Sequence, residues 1–287
     1  MHQLYLSKIL IMDEKNSFPQ FKFNWSGAFA LFGGYLAASV CIAIISSISL
    51  FVFHEDLRYS DFFVVMGNAI VFPIIIFSFD YFICRPATGK KLNFNFSPTN
   101  FYTYLLVFPM MLGMMLIAEF AASFLPISGP FWGEMYEWFS DLMSMISKDL
   151  PTMIIMAVIM APIFEEIIFR GIIQKGLINN GIKPVKAIWI SAILFGLVHG
   201  NPWQFVGAVL LGYVLGIVYE KTKSLLLPIL LHAFNNLTST LLITFTDTES
   251  FSIALKVPEW TIFLAGIILF STFCYLFLHK NKVIYSE

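Results

Sequence analysis

Residues 153–170 read Met-Ile-Ile-Met-Ala-Val-Ile-Met-Ala-Pro-Ile-Phe-Glu-Glu-Ile-Ile-Phe-Arg, an apolar run interrupted by Glu165, Glu166 and Arg170. Each charged side chain at the centre of a membrane helix costs about 2.5–3.5 kcal/mol on insertion scales. A segment that served only as a membrane anchor would carry leucine at these positions. We therefore interpret the run as a membrane helix that contains a functional site.

The composition indicates an integral membrane protein. The chain has 287 residues, of which 58% are hydrophobic and 12% are charged, and its mean hydropathy is +0.79. Soluble domains carry roughly 25% charged residues. The net charge is −1 and no basic segment is interleaved with aromatic residues, so a nucleic-acid partner is not expected. Cys41, Cys84 and Cys274 are far apart in the sequence and indicate neither a disulfide framework nor a metal cluster.

Hydropathy predicts an all-α bundle of about eight transmembrane helices, because a span needs about 20 mainly apolar residues. Eight spans would place both termini on the same side of the membrane. The fifth predicted span is short, and a tilted or partly re-entrant helix would fit it. The predicted spans are residues 27–53, 62–84, 101–125, 151–177, 186–200, 203–220, 224–245 and 259–279.

The distribution of positive charge predicts the orientation, since Lys and Arg are enriched in cytoplasmic loops. With these spans, thirteen of the 17 Lys and Arg residues fall on one side, and Arg58, Lys148 and Lys256 fall on the other. We therefore expect cytoplasmic N and C termini in a multi-pass protein of the cell membrane. The loop 126–150 shows helical periodicity, which predicts an amphipathic helix on the outer interface.

A group of polar residues interrupts three spans of the C-terminal half. Glu166 and Arg170 are four residues apart and share a helix face, so we expect an ion pair between them. Glu165 is rotated by about 100° from Glu166 and is free for chemistry. The whole group consists of Glu165, Glu166, Arg170, His199, His232, Asn235 and Asn236.

Such a group has a structural and a chemical interpretation. A network that only joined helices would use costly side chains for that purpose. A carboxylate and two imidazoles in an apolar cavity are typical of a hydrolytic site, in which the carboxylate is a general base and the histidines orient water or hold a metal ion. The remaining polar or small residues of the spans, Asp80, Glu119, Asn68 and the Gly212–Gly216 pair, are interpreted as interfacial or packing residues.

The spacing of the group resembles the signature motifs of the CPBP family of intramembrane proteases. This family includes CAAX prenyl endopeptidases and the Abi proteins of bacteriocin processing and immunity. The resemblance covers residues 150–245, follows the order of the family and shows no departure at the motif positions. The matching motifs are Glu165-Glu166-x-x-x-Arg170, Phe195-x-x-x-His199 and His232-x-x-x-Asn236.

The resemblance implies an enzyme that hydrolyses peptide bonds of membrane-associated peptides or proteins at the lipid bilayer. It implies that Glu165 is the general base that activates water and that His199 positions this water. It further implies that His232 and Asn236 stabilise the oxyanion of the tetrahedral intermediate. The residues implied to support the site are Glu166, Arg170 and Phe195.

Metal dependence stays open in the sequence. The family is often labelled metalloprotease, and His199, His232 and Glu165 are candidate zinc ligands. The chain has no HExxH motif, however, and the amide of Asn236 is a poor zinc ligand but a good oxyanion donor. A mechanism without a cofactor is therefore favoured, with zinc as the alternative.

The same reasoning predicts how the chain is divided. We expect a cytoplasmic N-terminal segment at 1–26, membrane spans with an interfacial helix at 27–149, a catalytic core at 150–245, and a last span with a cytoplasmic tail at 246–287. A non-proteolytic membrane scaffold, such as a bacteriocin immunity or resistance factor, is the alternative function, and the intact motifs disfavour it. A transporter ranks last, because no corresponding pair of broken helices is seen in the two halves.

Overall fold

The computed structural model describes residues 19–54, 57, 60–146 and 149–281, and all regular structure in these ranges is helical. This confirms the predicted all-α membrane bundle. Some predicted features lie outside the described part: residues 1–18 of the N-terminal segment, Arg58, Lys148, and the C-terminal tail from residue 282. The described helices are α1 (Trp25–Phe53), α2 (Asp61–Thr88), α3 (Phe101–Ala122), α4 (Trp132–Ile146), α5 (Leu150–Asn179), α6 (Pro184–Leu197), α7 (Pro202–Thr222), α8 (Leu226–Thr246), α9 (Phe251–Leu255) and α10 (Glu259–Lys280).

Seven helices of the described part are long and apolar enough to cross a bilayer, and with α6 they occupy the eight predicted span positions. The α6 helix has 14 residues. It is therefore about 21 Å long at 1.5 Å per residue, which is shorter than a hydrocarbon core of about 30 Å. It packs along α7 as a hairpin. The protein is thus a multi-pass membrane protein, and the side on which its termini lie stays a prediction.

The α3 helix lies between α7 and α10. Its contact with α10 brings the two backbones together, because a Cβ on Gly113 would lie 2.5 Å from the amide nitrogen of Phe270. A Cβ on Gly266 would lie 2.9 Å from the carbonyl oxygen of Gly113. Small residues permit such close approach between membrane helices. These contacts hold α10 against the half of the bundle that carries the predicted site.

Two extended segments close the end of the bundle at which α5 terminates. In the segment before α1, the N–H of Phe23 donates to the carbonyl of Gly176 at 2.9 Å. In the loop 89–100, the backbone N–H of Leu92 donates to Asp80 Oδ1 at 2.7 Å. The other carboxylate oxygen, Asp80 Oδ2, lies 2.6 Å from Arg85 Nη2. Asp80, which the sequence analysis interprets as an interfacial or packing residue, therefore forms an ion pair and also fixes this loop.

The amphipathic helix predicted within residues 126–150 is α4, which covers the turn between α6 and α7. The rings of Trp132, Tyr136 and Phe139 contact the ring of Trp203, with centroid distances of 6.4, 5.0 and 5.7 Å. One apolar face of α4 therefore packs on the protein itself. Its placement at the outer interface stays a prediction. The side chains of four residues that contribute to the predicted pattern lie outside the described part: Leu142, Met145, Ile146 and Lys148.

Candidate active site

The glutamate pair lies at a change of environment within α5. The helix is α-helical at Ala161–Glu166 and π-helical on both sides, at Ile154–Met160 and Ile167–Gln174. Every residue of the second π-helical stretch is buried, whereas the first contains no buried residue. Such π-helical turns occur frequently at functional sites. The pair is therefore placed between a dense core and a more open part of the bundle.

Glu166 is fully buried and carries the structural charge of the site. Its Oε1 atom accepts hydrogen bonds from Arg170 Nη1 at 2.8 Å and from His232 Nδ1 at 2.9 Å. Arg170 also donates from Nη2 to the carbonyl of Gly212 at 2.9 Å, and its guanidinium lies 4.8 Å from the ring centroid of Phe195. The ion pair that the sequence predicts is present, and each member makes a further hydrogen bond, while Glu166 Oε2 and Arg170 Nε are buried without a partner among the described residues.

Glu165 has a different environment from its neighbour. Its side chain is 21% exposed and accepts no hydrogen bond from the described residues. Its Oε2 atom lies 3.9 Å from His232 Nε2. Because His232 Nδ1 faces the ionised Glu166, this nitrogen is the one that carries the hydrogen in a neutral ring. Glu166 thereby orients the imidazole so that its Nε2 atom faces Glu165.

His199 follows the last turn of α6. A carbonyl oxygen can only accept, so His199 Nδ1 donates to the carbonyl of Phe195 at 2.8 Å. The Nε2 atom of the neutral ring is therefore an acceptor. The ring of Phe195 lies edge-on to both imidazoles, with centroid distances of 5.1 Å to His199 and 5.5 Å to His232. Phe195 thus brings α6 and α8 together at the two histidines.

Asn236 lies one turn after His232 on α8, and its amide is held at both ends. Its Nδ2 atom donates to the carbonyl of Ala157 at 2.7 Å, and its Oδ1 atom accepts from Asn235 Nδ2 at 2.9 Å. One N–H of the Asn236 amide is therefore used in holding α8 against α5. The second N–H is the one that remains for the predicted oxyanion contact.

Comparison with known proteins identifies the region that contains these residues. Residues 147–238, about a third of the chain, match the family model of the Type II CAAX prenyl endopeptidase Rce1-like proteins. A protein of Bacillus subtilis (strain 168) with the name "Putative membrane peptidase YdiL" is 36% identical over 91 residues. Residues 147–238 are therefore similar to the proteins whose motifs the sequence resembles, and we call them the CPBP-like segment. The aligned part is 32% of this chain and 37% of the Bacillus protein, so the chain spans little more than a third of the curated relative that it matches. No solved structure matches the chain.

The CPBP-like segment contains residues that the sequence reasoning did not assign to the site. Gln174 is fully buried and donates from Nε2 to the carbonyl of Gly216 at 3.0 Å, one turn from the bond between Arg170 and Gly212. A Cβ on Gly216 would lie 2.9 Å from Gln174 Oε1, and one on Gly212 would lie 3.2 Å from Arg170 Nη2. The two glycines therefore leave room for the side chains of Arg170 and Gln174, which bond to their carbonyls. The sequence signal for this contact was that both pairs, Arg170–Gln174 and Gly212–Gly216, are four residues apart.

The CPBP-like segment does not assemble the candidate zinc ligands into a metal site. In the described ranges, no group of three His, Cys, Asp or Glu side chains is arranged to hold a metal ion. His232 uses Nδ1 for Glu166 and His199 uses Nδ1 for a backbone carbonyl, which leaves Nε2 as the candidate ligand atom of each ring. A catalytic zinc site needs three protein ligands directed at one point. His199, His232 and Glu165 do not meet this requirement, and the reaction proposed below uses the side chains alone.

Proposed function

We propose that this protein is an intramembrane endopeptidase that hydrolyses peptide bonds of membrane-associated peptides or proteins. One observation carries the proposal: α5, α6 and α8 bring a partly exposed carboxylate, Glu165, together with two imidazoles. Both imidazoles contact Phe195, and Nε2 of His232 lies 3.9 Å from Oε2 of Glu165. The family match of residues 147–238 supports the same reaction class.

In the proposed reaction, Glu165 accepts a proton from a water molecule that His199 Nε2 helps to position. The water oxygen attacks the carbonyl carbon of the peptide bond. The resulting oxyanion receives hydrogen bonds from the second N–H of Asn236 and from Nε2 of His232, which acts in this step as an imidazolium with a proton on both ring nitrogens. Glu166 stabilises the positive charge on His232. The C–N bond then breaks, and the proton on Glu165 passes to the leaving amine.

The division of the glutamate pair supports these roles. Glu166 is fully buried and already binds two partners, so it can neither reach substrate nor accept a proton without releasing Arg170. Glu165 is partly exposed and faces His232. We therefore assign the general base to Glu165 and the support of the site to Glu166, Arg170 and Phe195.

The proposal is tested by cleavage of membrane peptides with purified protein in lipid nanodiscs, read by mass spectrometry. Glu165→Gln and His199→Ala should each lower turnover at least about 100-fold, the lower range for loss of a general base. Glu137→Gln, which changes an exposed carboxylate on α4, is the matched control and should leave turnover unchanged. Full turnover in both site variants would reject the protease and favour a membrane scaffold.

A further inference from the structure

Pro162 lies inside α5, three residues before Glu165, and is buried. A proline has no backbone N–H, so one carbonyl of the preceding turn loses its helical partner. Which carbonyl this is depends on the helical register. In an α-helix it would belong to Val158, four residues earlier, and in a π-helix it would belong to Ala157, five residues earlier.

The register at this point is that of a π-helix. The N–H of Ala161 donates to the carbonyl of Met156, five residues earlier. The next N–H in this register would come from residue 162 and would bond to the carbonyl of Ala157. Since Pro162 has no N–H, this carbonyl is left without a partner in its own helix.

Asn236 supplies the missing partner from α8. Its Nδ2 atom donates to the carbonyl of Ala157 at 2.7 Å, and its Oδ1 atom is held by Asn235. A carbonyl within a membrane bundle requires a hydrogen-bond partner, because lipid offers none. The proline, the π-helical register and the asparagine thus form one arrangement that fixes the orientation of the Asn236 amide.

We propose that Pro162 is a positioning residue for Asn236: by withholding an N–H, it reserves the carbonyl of Ala157 for the asparagine that faces the site. The catalytic consequence rests on the proposed function. The hydrogen bond itself does not, and it is measurable without a substrate. The side chain of Pro162 has no proton donor or acceptor, so its effect on turnover passes through Asn236.

Pro162→Ala supplies an N–H that competes with Asn236 for the carbonyl of Ala157. It should lower kcat by about 10-fold to 100-fold through misplacement of the amide, with KM changed less than twofold. Pro109→Ala is the matched control, because Pro109 also lies inside a membrane helix, α3, which contributes no residue to the proposed site. It should leave kcat unchanged. A kcat for Pro162→Ala equal to that of the control would overturn the proposal.

A double-mutant cycle with Asn236→Leu separates positioning from a general effect on the helix. Leucine has a similar shape but no N–H, so the carbonyl of Ala157 loses its partner. Pro162→Ala should restore one and should raise Tm in the Asn236→Leu background more than in the wild type. It should cause no further loss of kcat there. The Tm shift of Pro109→Ala should be equal in both backgrounds.

The two readouts distinguish the two proposals. Coupling between Pro162 and Asn236 in Tm, with no peptide cleaved by the wild type, would support the hydrogen-bond arrangement and reject the protease. Cleavage by the wild type with additive effects on both Tm and kcat would support the protease and overturn the role of Pro162. If Pro162→Ala does not fold alone, the comparison of Asn236→Leu with the double variant still decides the Tm arm.

Discussion

Glu166 Oε1 lies 2.9 Å from His232 Nδ1 and 2.8 Å from Arg170 Nη1, so a single carboxylate oxygen holds a buried cation and orients an imidazole on another helix. The side chains of Glu166 and Arg170 are both completely buried. A buried charge is tolerated only when it is paired. The stability of the bundle and the geometry of the site therefore depend on the same atom.

Glu166→Gln keeps the shape of this side chain and removes its charge. Breaking a buried ion pair leaves Arg170 without a counter-ion, and we expect a loss of about 3–5 kcal/mol in the free energy of unfolding. Glu220→Gln removes one partner of the exposed pair with Lys223 and should cost at most about 1 kcal/mol. Unfolding of both variants in mixed micelles with increasing SDS measures the difference. Equal losses would contradict the structural role assigned to Glu166.

Gly212→Ala should disturb the packing of the Arg170 guanidinium against α7. The added Cβ would lie 3.2 Å from Arg170 Nη2 and 3.1 Å from Phe195 Cδ1, so the guanidinium and the ring would have to move. We expect a destabilisation of about 1–3 kcal/mol, as is usual for overpacking, together with lower turnover. Gly207→Ala lies on the same helix in open space and is the control. It should be neutral or stabilising, since alanine favours helix more than glycine does. Equal effects would mean that α7 tolerates a methyl group at both positions.

Hydropathy and helical periodicity were sufficient to predict the span positions and the different environments of Glu165 and Glu166. Both depend on local pattern: an apolar run is visible in the sequence, and adjacent residues on a helix point about 100° apart. The fifth predicted span, residues 186–200, is already short in the sequence, and α6 has 14 residues in the structure.

The bond between Ala157 and Asn236 could not be predicted in this way. It depends on a π-helical register that no sequence pattern predicts. It also depends on contact between two residues that are 79 positions apart in the chain. The contact between Gln174 and Gly216 likewise depends on how α5 and α7 pack. The hydrogen bonds made by the segment before α1 and by the loop 89–100 could not be predicted either, because backbone hydrogen bonds at a helix end leave no mark on composition. Local pattern thus determined the elements, and tertiary packing determined which polar groups meet.

Metal content tests whether the site works without a cofactor. The proposed reaction uses Glu165 as the base and hydrogen bonds for the oxyanion, so purified active protein should hold far less than one zinc ion per chain. Turnover should survive dialysis against a strong chelator. Elemental analysis and turnover are measured on the same preparation, before and after chelation. Loss of turnover on chelation, restored by zinc alone, would reject the metal-free reaction.

Asp149 precedes the first residue of α5 and links the stability of this helix to pH. Its Oδ2 atom accepts the N–H of Thr152 at 2.8 Å, and hydrogen bonds from Thr152 hold the pKa of the Asp149 carboxyl below its ordinary value. A carboxyl whose pKa is lower in the folded state stabilises the fold above its unfolded pKa, and this stabilisation is lost as the pH falls through the folded value.

Asp149→Ala should therefore lower Tm at pH 7, and the Tm difference from the wild type should shrink as the pH falls below about 4, the ordinary range of an aspartate. Asp149→Asn keeps the capping oxygen without the charge, so it should retain most of the Tm while its difference from Asp149→Ala stays constant with pH. A Tm difference between wild type and Asp149→Ala that does not change with pH would show that the carboxylate charge contributes nothing to the start of α5.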